Sequence, residues 1–391
     1  MIAAAFIIAI GFGIVAPILP QYASDFGVSA MAVSAVVSAF GLFRLLFAPV
    51  SGKLTERLGE TPVYVVGLLI VAASMVATAF APTYELLLIF RAVGGIGSTF
   101  FTVSAMTFLA RKAPAQIRGK VSGAYASAFL IGNVAGPLAG SGLLVFGQRV
   151  PFLVYGGALV LAAGVVFVML RRSRLEDRER KDERQKATLK EAWGRLSYRA
   201  ALTSGFANGW ATFGLRNSVV PLFAASAFTG GGWFIDSAQL AGVALATFAA
   251  GNVAVVLTLA KRSDIWGRRP PIIIGLCIAA AATGTLGLSP APWVLLVLSL
   301  IAGAGTGLIV PAQQAALADI VGEGRNGGPV VSTFQMTQDF GAIVGPLLAG
   351  LMVDHLGYAW AFGLSGVILM VGAAAWVRAP ETLRLRTEDP T

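Results

Sequence analysis

The chain has 391 residues, 56% of them hydrophobic and 12% charged, with a formal net charge of +10 and a mean hydropathy of +0.77. Soluble domains carry about 25% charged residues, so this composition excludes an ordinary soluble enzyme or binding module and indicates a polytopic membrane protein. The basic excess does not indicate nucleic acid. All but four of the 29 Lys and Arg fall in segments that the alternation of apolar stretches puts on one side; Arg44, Arg91 and Arg216 lie within stretches and Arg149 lies on the far side. That asymmetry is the positive-inside rule, and it places both termini in the cytoplasm of a plasma-membrane protein.

Apolar stretches near 2–22, 31–50, 62–81, 86–110, 121–145 and 150–170 have the length of membrane helices. Six more lie near 200–222, 237–259, 270–289, 293–317, 329–353 and 360–377. The first starts almost at Met1 without a basic leader, so it reads as a first helix, although Tyr22-Ala23-Ser24 leaves a signal peptide open. Arg171–Arg199 carries eleven basic and six acidic residues and reads as a solvated, partly helical cytoplasmic linker. It divides the chain into 1–170, 171–199 and 200–391, and the flanking parts look duplicated. Phe12-Gly13 aligns with Phe213-Gly214 at an offset of 201, Glu56 with Asp264 at 208, Gly95-x-Gly97 with Gly305-x-Gly307 at 210, and Gly136-Pro137 with Gly345-Pro346 at 209.

The first stretch holds Gly11, Gly13, Pro17 and Pro20, a kinked helix that protein packing tolerates. After the second comes a predicted loop with Gly52, Glu56, Arg57 and Gly59, followed by Glu60 and Thr61. A carboxylate there can face a helix N-terminus or a basic side chain and latch one conformation. Its second copy, Asp264, Gly267, Arg268 and Arg269, keeps a basic pair but lacks the middle arginine, so either latch is expected to be weak. In the fourth stretch Arg91, Gly95, Ser98 and Thr102 make a polar stripe, and an intramembrane arginine needs a partner or water. The fifth reads GAYASAFLIGNVAGPLAG over Gly123–Gly140, with Gly132, Gly136 and Gly140 four apart and Pro137 beside them. Such spacing brings a neighbouring backbone close, and the proline is expected to bend the helix. Tyr125, Phe129 and Asn133 share a second face there, as contacts or as packing.

In the seventh stretch Asn208, Thr212 and Arg216 stand four apart. In the eleventh Gln335, Gln338 and Asp339 share a face, and Asp339 is the one carboxylate near the middle of a helix. A carboxylate in a low-dielectric cavity holds its proton more tightly and a nearby arginine loosens it, so Asp339 suits either proton coupling or a static bridge. Arg44 lies about 12 Å before the predicted loop at 1.5 Å per residue, within reach of the interface or of a cavity. One cysteine, Cys277, excludes an intrachain disulfide, and one histidine, His355, falls in a predicted external loop; no metal, cofactor or catalytic cluster is expected.

The Gly123–Gly140 pattern resembles the antiporter motif of the drug:proton antiporter branch of the major facilitator superfamily. The glycine–proline first helix, both loop signatures and the Arg91 motif are similar to that branch as well. The resemblance implies an all-α membrane protein with twelve helices in two pseudo-symmetric halves around a central cavity. It implies a monomer that exports small amphipathic molecules in exchange for protons, with Arg91 linked to proton transfer. A metabolite facilitator of the same fold is the rival reading, and a membrane-embedded enzyme a more distant one. The substrate's charge is a separate matter. Three intramembrane arginines against one aspartate favour neutral or anionic amphipaths over quaternary cations. If Arg44 snorkels and Arg91 pairs with Asp339, Arg216 is the charge that remains.

Overall fold

A computed structural model of the protein describes residues 2–112, 118–170, 188–228, 237–259, 263–322 and 327–383. Among the described residues all regular structure is helical. In chain order the helices are α1 (Ile2–Val15), α2 (Leu19–Ser24), α3 (Ala30–Leu58), α4 (Glu60–Ala79), α5 (Tyr84–Lys112), α6 (Arg118–Leu143) and α7 (Val150–Leu170). Then come α8 (Leu189–Gly194), α9 (Leu196–Asn208), a π-helical turn (Gly209–Leu215), α10 (Arg216–Ala227), α11 (Ser237–Leu259) and α12 (Ser263–Trp266). The last four are α13 (Arg269–Thr285), α14 (Pro292–Val321), α15 (Gly328–Leu356) and α16 (Tyr358–Arg378). Ten helical spans among the described residues are long and apolar enough to cross a bilayer. Helix α7 is typical: Phe152, Leu159 and Ala162 are buried, while Leu161 and Val168 are exposed. An apolar face of that kind is stable against hydrocarbon and not against water.

The sequence breaks helices where its residues require it. The first stretch is interrupted at Ala16–Ile18 around Pro17, and α2 restarts with Pro20 in its first turn, where a missing N–H costs nothing. Ser29 caps α3 by accepting from the Ala32 N–H at 3.3 Å. The predicted loop from Gly52 is not a loop. Helix α3 runs on to Leu58 and only Gly59, at φ +87°, breaks it before α4 begins at Glu60. Nothing before Gly59 resists helical dihedrals, whereas Gly59 adopts a left-handed region that favours glycine. Arg44 therefore sits fourteen residues before the end of α3, roughly 21 Å, and the shorter distance expected above is corrected. His355 likewise lies in the last turn of α15, exposed, rather than in a loop.

The chain forms two compact units, Met1–Arg178 with Asn217–Ala246, and Glu179–Arg216 with Thr247–Thr391. In the first, α1 packs along α6 and α7, and α5 packs on α3 and α4. Helices α1 and α6 meet backbone to backbone. A Cβ added at Gly136 would stand 2.6 Å from both Gly13 Cα and the Ile10 carbonyl oxygen, and one at Gly132 would stand 2.5 Å from Ala9 Cβ. Gly140 faces the Ile14 backbone in the same way, and Pro137 Cδ fills the space beside Gly13. Helix α6 continues through Pro137 to Leu143. In the second unit α13 packs on α14 and α16, and α15 packs on α9 and the π turn. There Pro346 Cδ fills the space beside Gly214, as Pro137 does beside Gly13.

These contacts repeat with a fixed register. Gly67 faces the Gly97 carbonyl, Phe100 and Phe101, and Gly275 faces the Gly305 carbonyl, Leu308 and Ile309, a uniform offset of 208. Gly95 faces the Phe40 backbone and Gly303 the Phe248 backbone, again 208 apart. The equivalence of Gly95 with Gly305, at 210, is therefore corrected by two residues. With the true register Ser299 occupies the place of Arg91, and Arg268 occupies that of Glu60. Gly267 and Gly59 both have positive φ, at +91° and +87°, just before that last pair.

Backbone contact between α1 and α6 makes Gly136 intolerant of any side chain. Gly136→Ala is expected to lower the thermal stability of the purified protein in detergent by about 1–3 kcal/mol. Gly52→Ala, whose Cβ would meet nothing within 4 Å, is expected to leave it unchanged or raise it by up to about 1 kcal/mol. Equal melting temperatures for the two variants would show that the helices separate without cost.

Candidate substrate and coupling site

Two arginines are buried within apolar helices, and each lies over an aromatic ring. Arg91 of α5 is 5% exposed; its guanidinium carbon stands 4.6 Å from the centre of Phe40, and Nη1 lies 4.0 Å from Met75 Sδ. Arg216 opens α10 and is 3% exposed, 3.7 Å from the centre of Phe248. A ring face offers partial negative charge, worth roughly 2 kcal/mol when the pair is desolvated. That is less than a guanidinium loses on leaving water. Nε of Arg91, and Nε and Nη1 of Arg216, have no hydrogen-bond partner among the described residues. Within its own unit, neither arginine has a described carboxylate at ion-pair distance.

Phe40 and Phe248 are equivalent in the repeat, but the cations above them come from different helices. In the first unit the cation comes from α5. In the second the equivalent position of α14 is Ser299, fully buried with its hydroxyl also lacking a partner, and the cation comes from the end of the π turn. Within that turn Gly209 lies against the Gln338 backbone and Gly214 against Pro346. A π turn takes in one extra residue, shifts the side chains after it around the axis, and is frequent at functional sites.

Below Arg216, Thr212 Oγ1 donates to Asn208 Oδ1 at 2.9 Å, so the predicted polar face is satisfied along its own helix. Next to it is a polar centre that sequence reading missed. Ser204 Oγ accepts from Gln313 Nε2 at 2.6 Å and from Trp376 Nε1 at 2.8 Å, and donates to the Ala200 carbonyl at 2.9 Å. Trp210 Nε1 donates to Ser365 Oγ at 2.9 Å. Buried tryptophan needs an acceptor, and two small hydroxyls supply it. The available signal was Gln313, a polar residue near the end of a largely apolar stretch.

On α15 Asp339 and Gln338 are half-buried and Gln335 is exposed. Arg44 is half-buried, and its carbonyl accepts from Thr99 Oγ1 at 2.6 Å. Asn133 is exposed on α6. The side chains of Tyr125 and Asp264 lie outside the described residues. Glu56 and Arg57 are exposed on the last turn of α3, while Glu60 is buried at 5%.

In the second loop signature the basic pair is held by partners from distant parts of the chain. Arg268 Nε donates to Asp319 Oδ2 at 3.1 Å, an ion pair with both side chains buried. Arg269 Nη2 donates to the Val377 carbonyl. Glu381 closes the cluster by accepting from the backbone N–H of Arg268 at 2.7 Å, Arg269 at 3.0 Å, Thr382 at 3.0 Å and Leu383 at 3.2 Å. No side chain of its own caps the N-terminus of α13, so Glu381 does so across 112 residues of chain. Burial pushes the Glu381 carboxyl up, but the N–H groups of Arg268, Leu383, Arg269 and Thr382 outweigh it and hold it below the ordinary range.

The family model described as Major Facilitator Superfamily matches residues 1–235 and 217–390. The chain belongs to the major facilitator superfamily. It is similar to Multidrug resistance protein 1 of Bacillus subtilis (strain 168), with 25% identity over 390 residues, 98% of this chain and 96% of that protein. It is similar to Quinolone resistance protein NorA of Staphylococcus aureus (strain MRSA252), with 25% identity over 383 residues, 94% of this chain and 93% of that protein. Among solved structures it resembles a bacterial homologue of the human lysosomal transporter Spinster in an inward-facing, unoccupied conformation, with a TM-score of 0.80 at 16% identity, covering 100% of this chain and 97% of that one. The superfamily's members are transporters, and this one is an all-α, multi-pass membrane protein with the major facilitator fold.

In this superfamily member the Glu381 cap has a definite pH signature. A carboxyl held below its unfolded value stabilises the fold above that value, and the contribution is lost as pH falls through the folded one. Glu381→Ala is expected to cost about 0.5–2 kcal/mol at neutral pH. The gap in melting temperature between it and the wild type should close as pH drops below about 4. A gap that persists unchanged at pH 3.5 would mean that Glu381 acts through packing and not charge.

Proposed function

We propose that this protein exports small amphipathic organic molecules across the plasma membrane in exchange for protons, by alternating access. Two halves, 1–170 and 200–391, joined by the charged linker 171–199, rock about the substrate, and both termini face the cytoplasm. The backbone contact along Gly132, Gly136 and Gly140 carries the reading. A helix pair without intervening side chains moves as one body, which is what a sealed wall requires. The similarity to a multidrug resistance protein and to a quinolone resistance protein supports drug-like cargo. In this scheme Asp339 loads and releases the proton and Arg91 biases that equilibrium. Gly59 and Gly267, with Glu56, Arg57, Asp264 and Arg268 beside them, mark the cytoplasmic ends that reset between states.

The residues suit the energetics. A proton moving down 100 mV yields roughly 2.3 kcal/mol, and a half-buried carboxylate is the group able to bind and release it. No phosphate-binding loop or nucleotide-binding motif occurs in the 391 residues, in keeping with an ion gradient as the energy source.

In proteoliposomes the wild type should accumulate at least one of norfloxacin, ethidium and 1-pyrenebutyrate when a pH gradient is imposed. Asp339→Asn should lose this uphill movement, by tenfold or more in initial rate, while passive exchange of the same compound persists. Gradient-driven accumulation retained by Asp339→Asn would remove Asp339 from coupling. Failure of the wild type to move any of the three against a gradient would overturn the efflux reading.

A further inference from the structure

The geometry points to an anion subsite in the second unit, in which Arg216, seated on Phe248, takes the carboxylate of an amphipathic organic anion. The inference rests on the efflux reading above and names the class of cargo that the second unit selects. Arg216 begins α10, eleven residues before its end at Ala227, about 17 Å at 1.5 Å per residue. That depth is near the middle of a hydrocarbon layer of about 30 Å. There its charge is fixed, because a guanidinium does not give up its proton.

Three donors at this place lack an acceptor. Two are Nε and Nη1 of Arg216, and the third is the Ser299 hydroxyl. Ser299 precedes by one helical turn Gly303, which lies against the Phe248 backbone, and holds on α14 the repeat position that Arg91 holds on α5. The ring itself cannot accept hydrogen bonds in the guanidinium plane, where those N–H groups point. What matches a fixed positive charge, unmatched donors and an apolar wall is a carboxylate carried on an apolar body. A quaternary ammonium meets repulsion at the same point.

Local packing explains why the site is found in one repeat only. In the first unit the ring of Phe40 is covered by Arg91, one turn before Gly95 on α5. In the second that position is the much shorter Ser299, and Arg216, which follows the π turn, lies over the ring instead.

The test uses three matched probes: 1-pyrenebutyrate, its methyl ester, and the corresponding pyrenebutyl-trimethylammonium. Binding to the full-length protein in nanodiscs is read by energy transfer from tryptophan to pyrene. The wild type should bind the acid at least about tenfold more tightly than the ester, and the cation most weakly. Arg216→Met, which removes the charge and its contact with the Phe248 ring, should keep its affinity for the ester while losing the preference for the acid. Arg216→Lys should retain part of that preference and carries the test if the methionine variant does not fold. Equal affinities for acid and ester in the wild type, or a preference that survives both variants, would overturn the subsite while leaving amphipath binding intact. Absence of binding by all three would overturn the efflux reading and the subsite together. A parallel series in gluconate and chloride separates organic from inorganic anions. Chloride alone raising the wild-type melting temperature, with the acid's advantage gone, would assign the donors to chloride and overturn the proposal.

Discussion

A full positive charge held in a medium without water is the constraint on which the rest of this structure depends. Arg91 and Arg216 each lie against a ring, Phe40 and Phe248, at positions that the internal repeat makes equivalent. A ring face reduces the cost of such a charge without removing it, because the guanidinium N–H groups lie in a plane the ring does not meet. The donors left unmatched are Nε of Arg91 and Nε and Nη1 of Arg216, and on the efflux reading proposed above they are the groups that a proton carrier or cargo would meet.

The surrounding helices fix these charges by leaving side chains out. Gly13 against Gly136, Gly67 against Gly97, and Gly275 against Gly305 put the backbones of neighbouring helices in contact. Hydrogen bonds finish the work where apolar packing cannot. Ser204 joins Gln313 and Trp376 in one hydrogen-bonded centre, and Glu381 gathers four N–H groups at the start of α13. At Gly59 and Gly267 a glycine at positive φ, rather than a longer loop, separates successive helices.

Much of this was legible in the residues. Glycine spacing in Gly132–Gly140 announces the α1–α6 contact, and the polar stripes of the fourth, seventh and eleventh stretches mark where charge and hydrogen bonding enter. What was not legible has physical reasons. Gly303, Gly305 and Gly307 recur every second residue, so the sequence alone supports two registers against Gly95 and Gly97, and only the facing carbonyls decide between them. Helix α3 continues past Gly52 because Thr55 and Leu58 tolerate either state. The partners of Arg268, Asp319 and Glu381, are 51 and 113 residues away, beyond any local pattern. The role of Ser204 is invisible in a segment where serine is common, and the π turn has no signature apart from the glycines at 209 and 214.

The central claim is that cargo and proton share one cycle, and substrate-driven proton flux tests it most directly. Proteoliposomes loaded with 1-pyrenebutyrate and a luminal pH dye, with no imposed pH gradient and potential clamped, are diluted into probe-free buffer. The account predicts that the probe leaves as protons enter, and that the lumen acidifies at a rate proportional to probe efflux. Rapid efflux of the probe with no change in luminal pH would contradict it and make the protein a facilitator.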